Sequence, residues 1–262
     1  MVVVMKITRK ELQLMKETTS DGCIIYLSGP SSLDTPLELL RAKSIISVNG
    51  STGYLLENNI PVFAYIVSDG SFYEKNKSLF LKYSSYARYT FISNDVLKRA
   101  NTSEKEQLLN TCFVLNDICK SRGGPGRKIR YTIKSAINRS VFIKCSASRK
   151  EKTIAFSTDV YHGHFGSATV AFSALQLAIS LKFREVLFSG LDLSGECKRF
   201  YSEGQPQPTT LPTDFNFILK SFDFLMKKYR GNIFNLSSRT AIPYEVIPFA
   251  SAAEIMNQTT LV

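Results

Sequence analysis

At 262 residues the chain is long enough for one large core, or one core with a small lid, and its 44% hydrophobic and 11% aromatic content excludes a disordered protein. No run approaches the roughly 18 to 20 apolar residues of a membrane span, MVVVM is too short for a signal-peptide core, and five cysteines without CxxC suggest neither a disulfide framework nor a zinc site, so the expectation is a reduced cytoplasmic protein. The net charge of +11 is concentrated: between Lys120 and Lys152 there are eleven Lys or Arg against one acid, Glu151, so whatever partner needs positive charge meets that segment.

In chain order, residues 1–22 read as a short leader onto the first strand. Three apolar runs follow, CIIYL, SIISV and VFAYIV, each ending on a small polar turn: Ser28-Gly29-Pro30-Ser31-Ser32, then Asn49-Gly50-Ser51-Thr52, then Ser68-Asp69-Gly70. A short helix is expected over 36–42, with proline in its first turn. Another is expected over 72–86, with Phe72, Leu79, Phe80 and Tyr83 inward. RYTFI at 88–92 and CFVL at 112–115 continue the strands, with a helical stretch through Leu109 between them.

Gly123-Gly124-Pro125-Gly126 breaks regular structure. Beyond it Ile129, Ile133, Ile137 and Val141 recur every four residues with Lys128, Arg130, Lys134 and Arg139 off the stripe. This predicts a basic amphipathic helix on a glycine hinge, either packed on the core or serving as a lid for a membrane surface or an anionic ligand. The pattern resumes with TIAFS, a long helix near 167–181, the strand EVLFSG, Leu191 to Gly195, a polar loop over 202–212, a helix over 213–229 opened by Asp214, the strand NIFNLS and a proline-containing tail. Strands separated by helices predict an α/β fold with a doubly wound, mostly parallel Rossmann-like sheet, forming one domain over 1–262 with a basic insertion at about 120–152.

Small polar residues at the carboxyl ends of buried strands are where an open α/β sheet builds a ligand site. GxGxxG and GxxxxGK[ST] are missing, so common dinucleotide and P-loop sites are excluded, and the lack of Asp-x-Asp argues against a metal-held nucleotide-diphosphate sugar. With only His162 and His164, a serine triad or three-histidine zinc site has little to draw on. What remains is Gly29 and Gly50 for close backbone approach, Asn49 for a base edge or ribose, and Ser167, Ala168 and Thr169 at a helix start suited to phosphate. Gly166 and Gly190 flank the same turns, and Tyr201 is a hydroxyl donor for a departing phosphate. Asp69 and Asp192 each follow a buried strand, as turn caps or as working carboxylates.

IIYLSGPSSLDTPLELLRAKSIISVNGS, SDGSFY, VLFSGLDLSGECKRFY and NIFNLSSRTAIPYEVIPF resemble the lipopolysaccharide-core Kdo transferases of the RfaZ/WaaZ type, from about Asp21 to Phe249. A more distant resemblance is to bacterial sialyltransferases that use CMP-sialic acid. Their GNGPS turn is similar to Leu27–Ser31, their asparagine after the second strand to Asn49, their helix-start threonine to Thr169, and their SGID to 189–192. Their histidine base has no counterpart in QPQPTTLPTD before the Thr213 helix.

The resemblance implies a GT-A-like glycosyltransferase that moves Kdo from CMP-Kdo to an inner-core sugar hydroxyl, without a metal or other cofactor and with inversion. Ser28, Gly29, Pro30, Ser31, Asn49, Gly50, Ser51, Gly166, Ser167, Thr169, Gly190 and Tyr201 are then donor-binding. Asp69, His164 and Asp192 are candidate catalytic groups, with Asp69 favoured as base. The implied partners are lipopolysaccharide core with lipid A and, through 120–152, an anionic membrane surface at the inner face of the inner membrane. The rival readings are another CMP-sugar enzyme, such as a sialyltransferase, and a basic nucleic-acid-binding protein. The latter lacks interleaved aromatics beyond Tyr131 and Phe142.

Overall fold

The computed structural model describes residues 5, 7–122, 126–145, 151–194, 199–201 and 210–259. Helix α1 (Arg9–Lys16) leads to β1 (Gly22–Tyr26), α2 (Leu37–Ala42), β2 (Ser44–Val48) and α3 (Thr52–Glu57). Then come β3 (Ala64–Val67), α4 (Gly70–Lys75), α5 (Lys77–Tyr86), β4 (Tyr89–Ser93), α6 (Asn94–Arg99), α7 (Thr102–Thr111) and β5 (Phe113–Leu115). The basic segment forms α8 (Arg127–Ile137) and β6 (Val141–Lys144). The remainder is β7 (Ile154–Ser157), α9 (Val170–Ser180), β8 (Glu185–Ser189), α10 (Leu211–Lys228), β9 (Asn232–Asn235) and α11 (Ala252–Thr259).

Seven strands form one parallel sheet in the order β5-β4-β3-β2-β1-β8-β9, while β6 and β7 pair antiparallel apart from it. Ile24 of β1 pairs with Ile45 on one side and Leu187 on the other. The strand runs are continuously apolar because both faces of the sheet are covered. Cys23, Ile25 and Leu27 enter a core shared with α9 and α10, and Ile24 and Tyr26 enter the opposite core with Leu39, Leu55 and Phe72. From β1 the chain winds to one edge through β2 to β5, then returns to the other side of β1 with β8. This is the expected doubly wound sheet, with its switch point between β1 and β8.

α9 lies under the middle of the sheet and is buried on every side, so its few polar groups need internal partners. Gln176 meets that need in full. Its Oε1 accepts from Ser157 N and Phe165 N, both at 3.0 Å, and its Nε2 donates to Phe165 O at 2.8 Å and Phe172 O at 2.9 Å. One glutamine thereby fastens the backbone next to His164 onto the helix.

Several elements depart from expectation. The 72–86 helix is two, α4 and α5, because Asn76 leaves helical geometry (ψ 40°) and caps α4 by donating to Phe72 O; Leu79 is exposed. The stretch through Leu109 is likewise divided into α6 and α7, the second restarted by an Asn101–Glu104 capping box. Asp214 lies within the first turn of α10, where it pairs with Lys152 at 2.5 Å, and does not cap it. The leader contains α1, with a Thr8–Glu11 capping box, and the tail ends in α11.

The isoleucine stripe of α8 also differs: Val141 belongs to β6, and Ile129, Ile133 and Ile137 point to solvent. The expected hinge at Gly123 to Pro125, residues 146–150 of the basic segment, Cys197 and residues 202–209 of the polar loop lie outside the described residues. No helix among the described residues is long and apolar enough to cross a membrane.

Candidate active site

A cavity of about 1200 Å³ opens at the carboxyl edge of the sheet, lined by the turns after β1, β2, β3, β4, β5 and β8 and by the approach to α9. Ser28, Gly29, Pro30, Ser31, Asn49, Asp69, His164, Gly166, Ser167, Thr169, Gly190 and Asp192 all line it; Gly50, Ser51 and Tyr201 do not. The volume suits a ligand larger than a nucleoside monophosphate.

The turns after β1 and β8 are bolted together through Asp192. Its Oδ2 accepts from Ser31 N at 3.0 Å, while Oδ1 accepts from the Ser31 hydroxyl and from Ser237 Oγ at 2.6 Å. The carboxylate is buried and its lone pairs are aimed at these donors, so its geometry is that of a positioning group. Gly29 serves the same closure: a Cβ there would strike Gly190 O and Asp192. Gly190 adopts φ +80°, and a Cβ on it would meet Ser32 Oγ. These two glycines let the turns touch each other, a different use from the close ligand approach expected for Gly29.

After β2, Asn49 takes φ +46°, and its Oδ1 is buried with no hydrogen bond among the described residues. Asn49 as a residue lines the cavity. Ser51 is turned inward, its one hydroxyl proton within reach of Val48 O at 2.7 Å and Tyr26 O at 2.9 Å, so its hydroxyl supports the turn. Gly50 makes room for an aromatic ring, since a Cβ would lie 2.5 Å from Tyr201 Cζ. Burial raises the Tyr201 phenol pKa, and the ring packs edge-on against Phe200. In this conformation Tyr201 backs the Asn49 turn from outside the cavity.

The approach to α9 is the second strained segment. Ser167 and Ala168 have φ +44° and +58°, and helix α9 starts later than expected, capped by Thr169 Oγ1 on Ala171 N at 3.3 Å. Ser167 Oγ, like Asn49 Oδ1, is buried with no hydrogen bond among the described residues. Thr169 N is used on Gly166 O at 3.1 Å, while the two left-handed residues and the helix start at Val170 lie along the cavity wall, a setting suited to phosphate.

His164 is only 1% exposed and is held on both backbone sides, by Asn116 O at 2.8 Å and by Ile118 N at 2.9 Å; its Nδ1 lies 3.2 Å from Asn116 O. Burial pushes its pKa below the ordinary 6.5, with the Asp117 charge pulling the other way. The folded protein thus binds this proton less well than the unfolded chain, so the stability tied to neutral His164 is complete above about pH 6.5 and is lost as pH falls below it. The melting temperature should therefore drop more between pH 7.5 and pH 5.5 than that of His164→Gln; parallel curves would remove this linkage.

Asp69 caps α4, with Oδ1 accepting from Ser71 N at 2.8 Å, and its other oxygen has no hydrogen bond among the described residues. Asp95 and Asp117 also line the cavity and follow β4 and β5, so the strand-end rule that singled out Asp69 reaches them too. Lys75, Lys98, Lys120, Lys152 and Arg239 complete the rim. Lys120 and Lys152 belong to the basic segment, whereas no local motif marks Lys75, Lys98 and Arg239; the fold gathers all five from separate elements. Beside them a smaller cleft of about 450 Å³ is lined by Lys98, Lys105, Lys120, Asn94, Leu97 and Asp117.

A family model described as 3-deoxy-D-manno-octulosonic acid transferase WaaZ matches residues 7–253. The chain belongs to this WaaZ family. A relative in Escherichia coli K12 named "Probable 3-deoxy-manno-octulosonic acid transferase" is 40% identical over 95% of this chain and 89% of its own length. One of the same name in Salmonella typhimurium LT2 is 37% identical over 94% and 93%. Among solved structures, the sialyltransferase CstII of Campylobacter jejuni, in complex with the substrate analogue CMP-3FNeuAc, superposes with a TM-score of 0.50 at 15% identity over 89% of this chain and 87% of its own. This WaaZ-family protein therefore has a glycosyltransferase fold of the GT-A-like sialyltransferase kind.

Proposed function

We propose that this glycosyltransferase moves Kdo (3-deoxy-D-manno-octulosonic acid) from CMP-Kdo to an inner-core sugar hydroxyl of lipopolysaccharide, metal-independently and with inversion. The observation that carries the reading is one cavity at the carboxyl edge of the sheet that brings together the Ser28–Ser31 turn, Asn49, Asp69 and the 166–169 approach to α9. Asn49 and the Ser28–Ser31 turn suit a nucleotide, and the Ser167–Thr169 backbone suits its phosphate. CstII holds a CMP-sugar analogue on a similar fold, which supports a CMP donor.

The acceptor oxygen attacks the anomeric carbon of Kdo, its proton passes to Asp69, and the bond to phosphate breaks so that CMP leaves with the electron pair. Charge developing on that phosphate is met by the α9 start and the rim lysines. His164, locked and neutral, shapes the wall beside the phosphate position. The lysine-lined side cleft suits an acceptor bearing carboxylates or phosphates. The +10 segment 120–152 supports residence on the anionic inner face of the inner membrane.

The test is CMP release and sugar transfer measured with CMP-Kdo and CMP-sialic acid, each with and without a truncated core acceptor, in the presence of EDTA. Acceptor-dependent release from CMP-Kdo is expected. Preference for CMP-sialic acid would make the protein a sialyltransferase, release indifferent to acceptor a hydrolase, and abolition by EDTA would overturn metal independence.

A further inference from the structure

Helix α8 is docked by one face only. Tyr131 is buried and its hydroxyl accepts from Lys120 N at 3.0 Å, Lys134 Nζ donates to Ile118 O at 2.8 Å, and Ser135 Oγ donates to Val141 O at 2.9 Å. The opposite face carries Ile129, Ile133 and Ile137, exposed by 69%, 52% and 80%. Among the described residues, Ile137 and Ile129 are the most exposed large apolar side chains. Spacing of four residues keeps the three isoleucines in one row. Exposed Arg130 borders it, and no acidic residue occurs between Ile118 and Lys150.

We infer that this isoleucine row is a wedge that inserts into the acyl boundary of an anionic bilayer, with the cations of the basic segment on the headgroups. The inference deepens the membrane partner proposed above, in which charge alone held the surface, by naming the side chains that leave water. An apolar row bordered by Arg130 in a segment of net charge +10 matches an anionic lipid surface, with apolar contact below and opposite charge above. A second copy of the chain is the poorer occupant, because pairing two such faces brings like charges together. The anchored face also ties the wedge to the site: Lys120, bonded to Tyr131 through its backbone, lines the cavity rim. Insertion would therefore hold the cavity mouth at the headgroup layer, where a lipid-linked acceptor presents its sugars.

The chain has no tryptophan, so Ile133→Trp creates a single reporter. The full chain is mixed with phosphatidylcholine vesicles with or without phosphatidylglycerol, some carrying brominated acyl chains. Expected with the anionic lipid are a blue-shifted emission, quenching by the brominated chains, and binding that partly survives high salt. The Ile129→Ser/Ile133→Ser/Ile137→Ser variant should melt at the parental temperature, since these side chains are already exposed, yet bind roughly tenfold more weakly or worse. An unquenched tryptophan, or a triple variant that binds like the parent, would overturn insertion in favour of purely electrostatic contact. A triple variant that changes oligomeric state in sedimentation, with no vesicle binding by the parent, would assign the face to a second copy and also overturn it. None of these readouts uses turnover, so failure of CMP-Kdo transfer with quenching intact sinks only the donor reading, and the reverse result sinks only the wedge.

Discussion

Asp69→Asn is expected to lower Kdo transfer by about 10²- to 10⁴-fold, the usual worth of a positioned general base. The substitution isolates the base. Asparagine caps helices as well as aspartate does and keeps an oxygen for Ser71 N, so α4 should stay capped and the melting temperature should hold. CMP affinity should also stay within a few-fold, because the proposed nucleotide contacts come from the Asn49 and Ser167 turns. Asp69→Ala adds the loss of the cap, about 1 kcal/mol. Single-turnover transfer with CMP-Kdo, beside CMP binding by calorimetry, separates these effects. Near-parental transfer by Asp69→Asn would remove Asp69 as the base and return attention to His164 and Asp117.

Asp192→Ala should give the largest combined loss of stability and donor binding. It strips the acceptor from Ser31 N, Ser31 Oγ and Ser237 Oγ together. Leaving buried donors without partners costs about 1–3 kcal/mol each; with relaxation of the hydroxyls a total near 3 kcal/mol is expected. For a chain of this size that is a fall in melting temperature of about 6–12 °C. CMP affinity should fall at least tenfold because the Ser28–Ser31 turn loses its tie to β8. Ser237→Ala, which removes one of the three bonds, should cost about 1–2 kcal/mol. Asp192→Asn decides between roles: a positioning group keeps transfer within about tenfold, whereas a catalytic carboxylate loses about 10²-fold or more with CMP binding intact. Urea denaturation with CMP titration of the three variants gives the ordering, and equal stabilities for all of them would overturn the bolt.

The strands were legible because a parallel sheet covered on both faces needs uninterrupted apolar runs, and CIIYL, SIISV and EVLFS can satisfy two cores at once. The turns that line the cavity were legible for the same reason, since they are simply where those runs stop. Asp95 and Asp117 were within reach of that rule as well. Gly50 and Ser51 do not line the cavity, because a small polar turn residue reads alike whether it opens onto a cavity, as Asn49 does, or holds up an aromatic ring or a carbonyl. The α8 stripe left two alternatives open for a comparable reason. Fourfold spacing establishes that three isoleucines share a face, but which face the protein covers depends on Tyr131, Lys134 and Ser135 finding partners at Lys120, Ile118 and Val141.

By itself, the sequence determined the apolar runs, the polar edge where they end, the charge of the 120–152 segment and the family. These are properties of contiguous residues, where backbone geometry and side-chain period act locally. Only the tertiary structure decided that β8 lies beside β1, so that Asp192 closes on Ser31 from 161 residues away. The same packing turned Tyr201 behind the Asn49 turn, gathered lysines from several elements to one rim, and left the isoleucines of α8 facing out. Strand order and helix docking are set by which distant surfaces bury each other best, and that competition is not written in any single window of the chain.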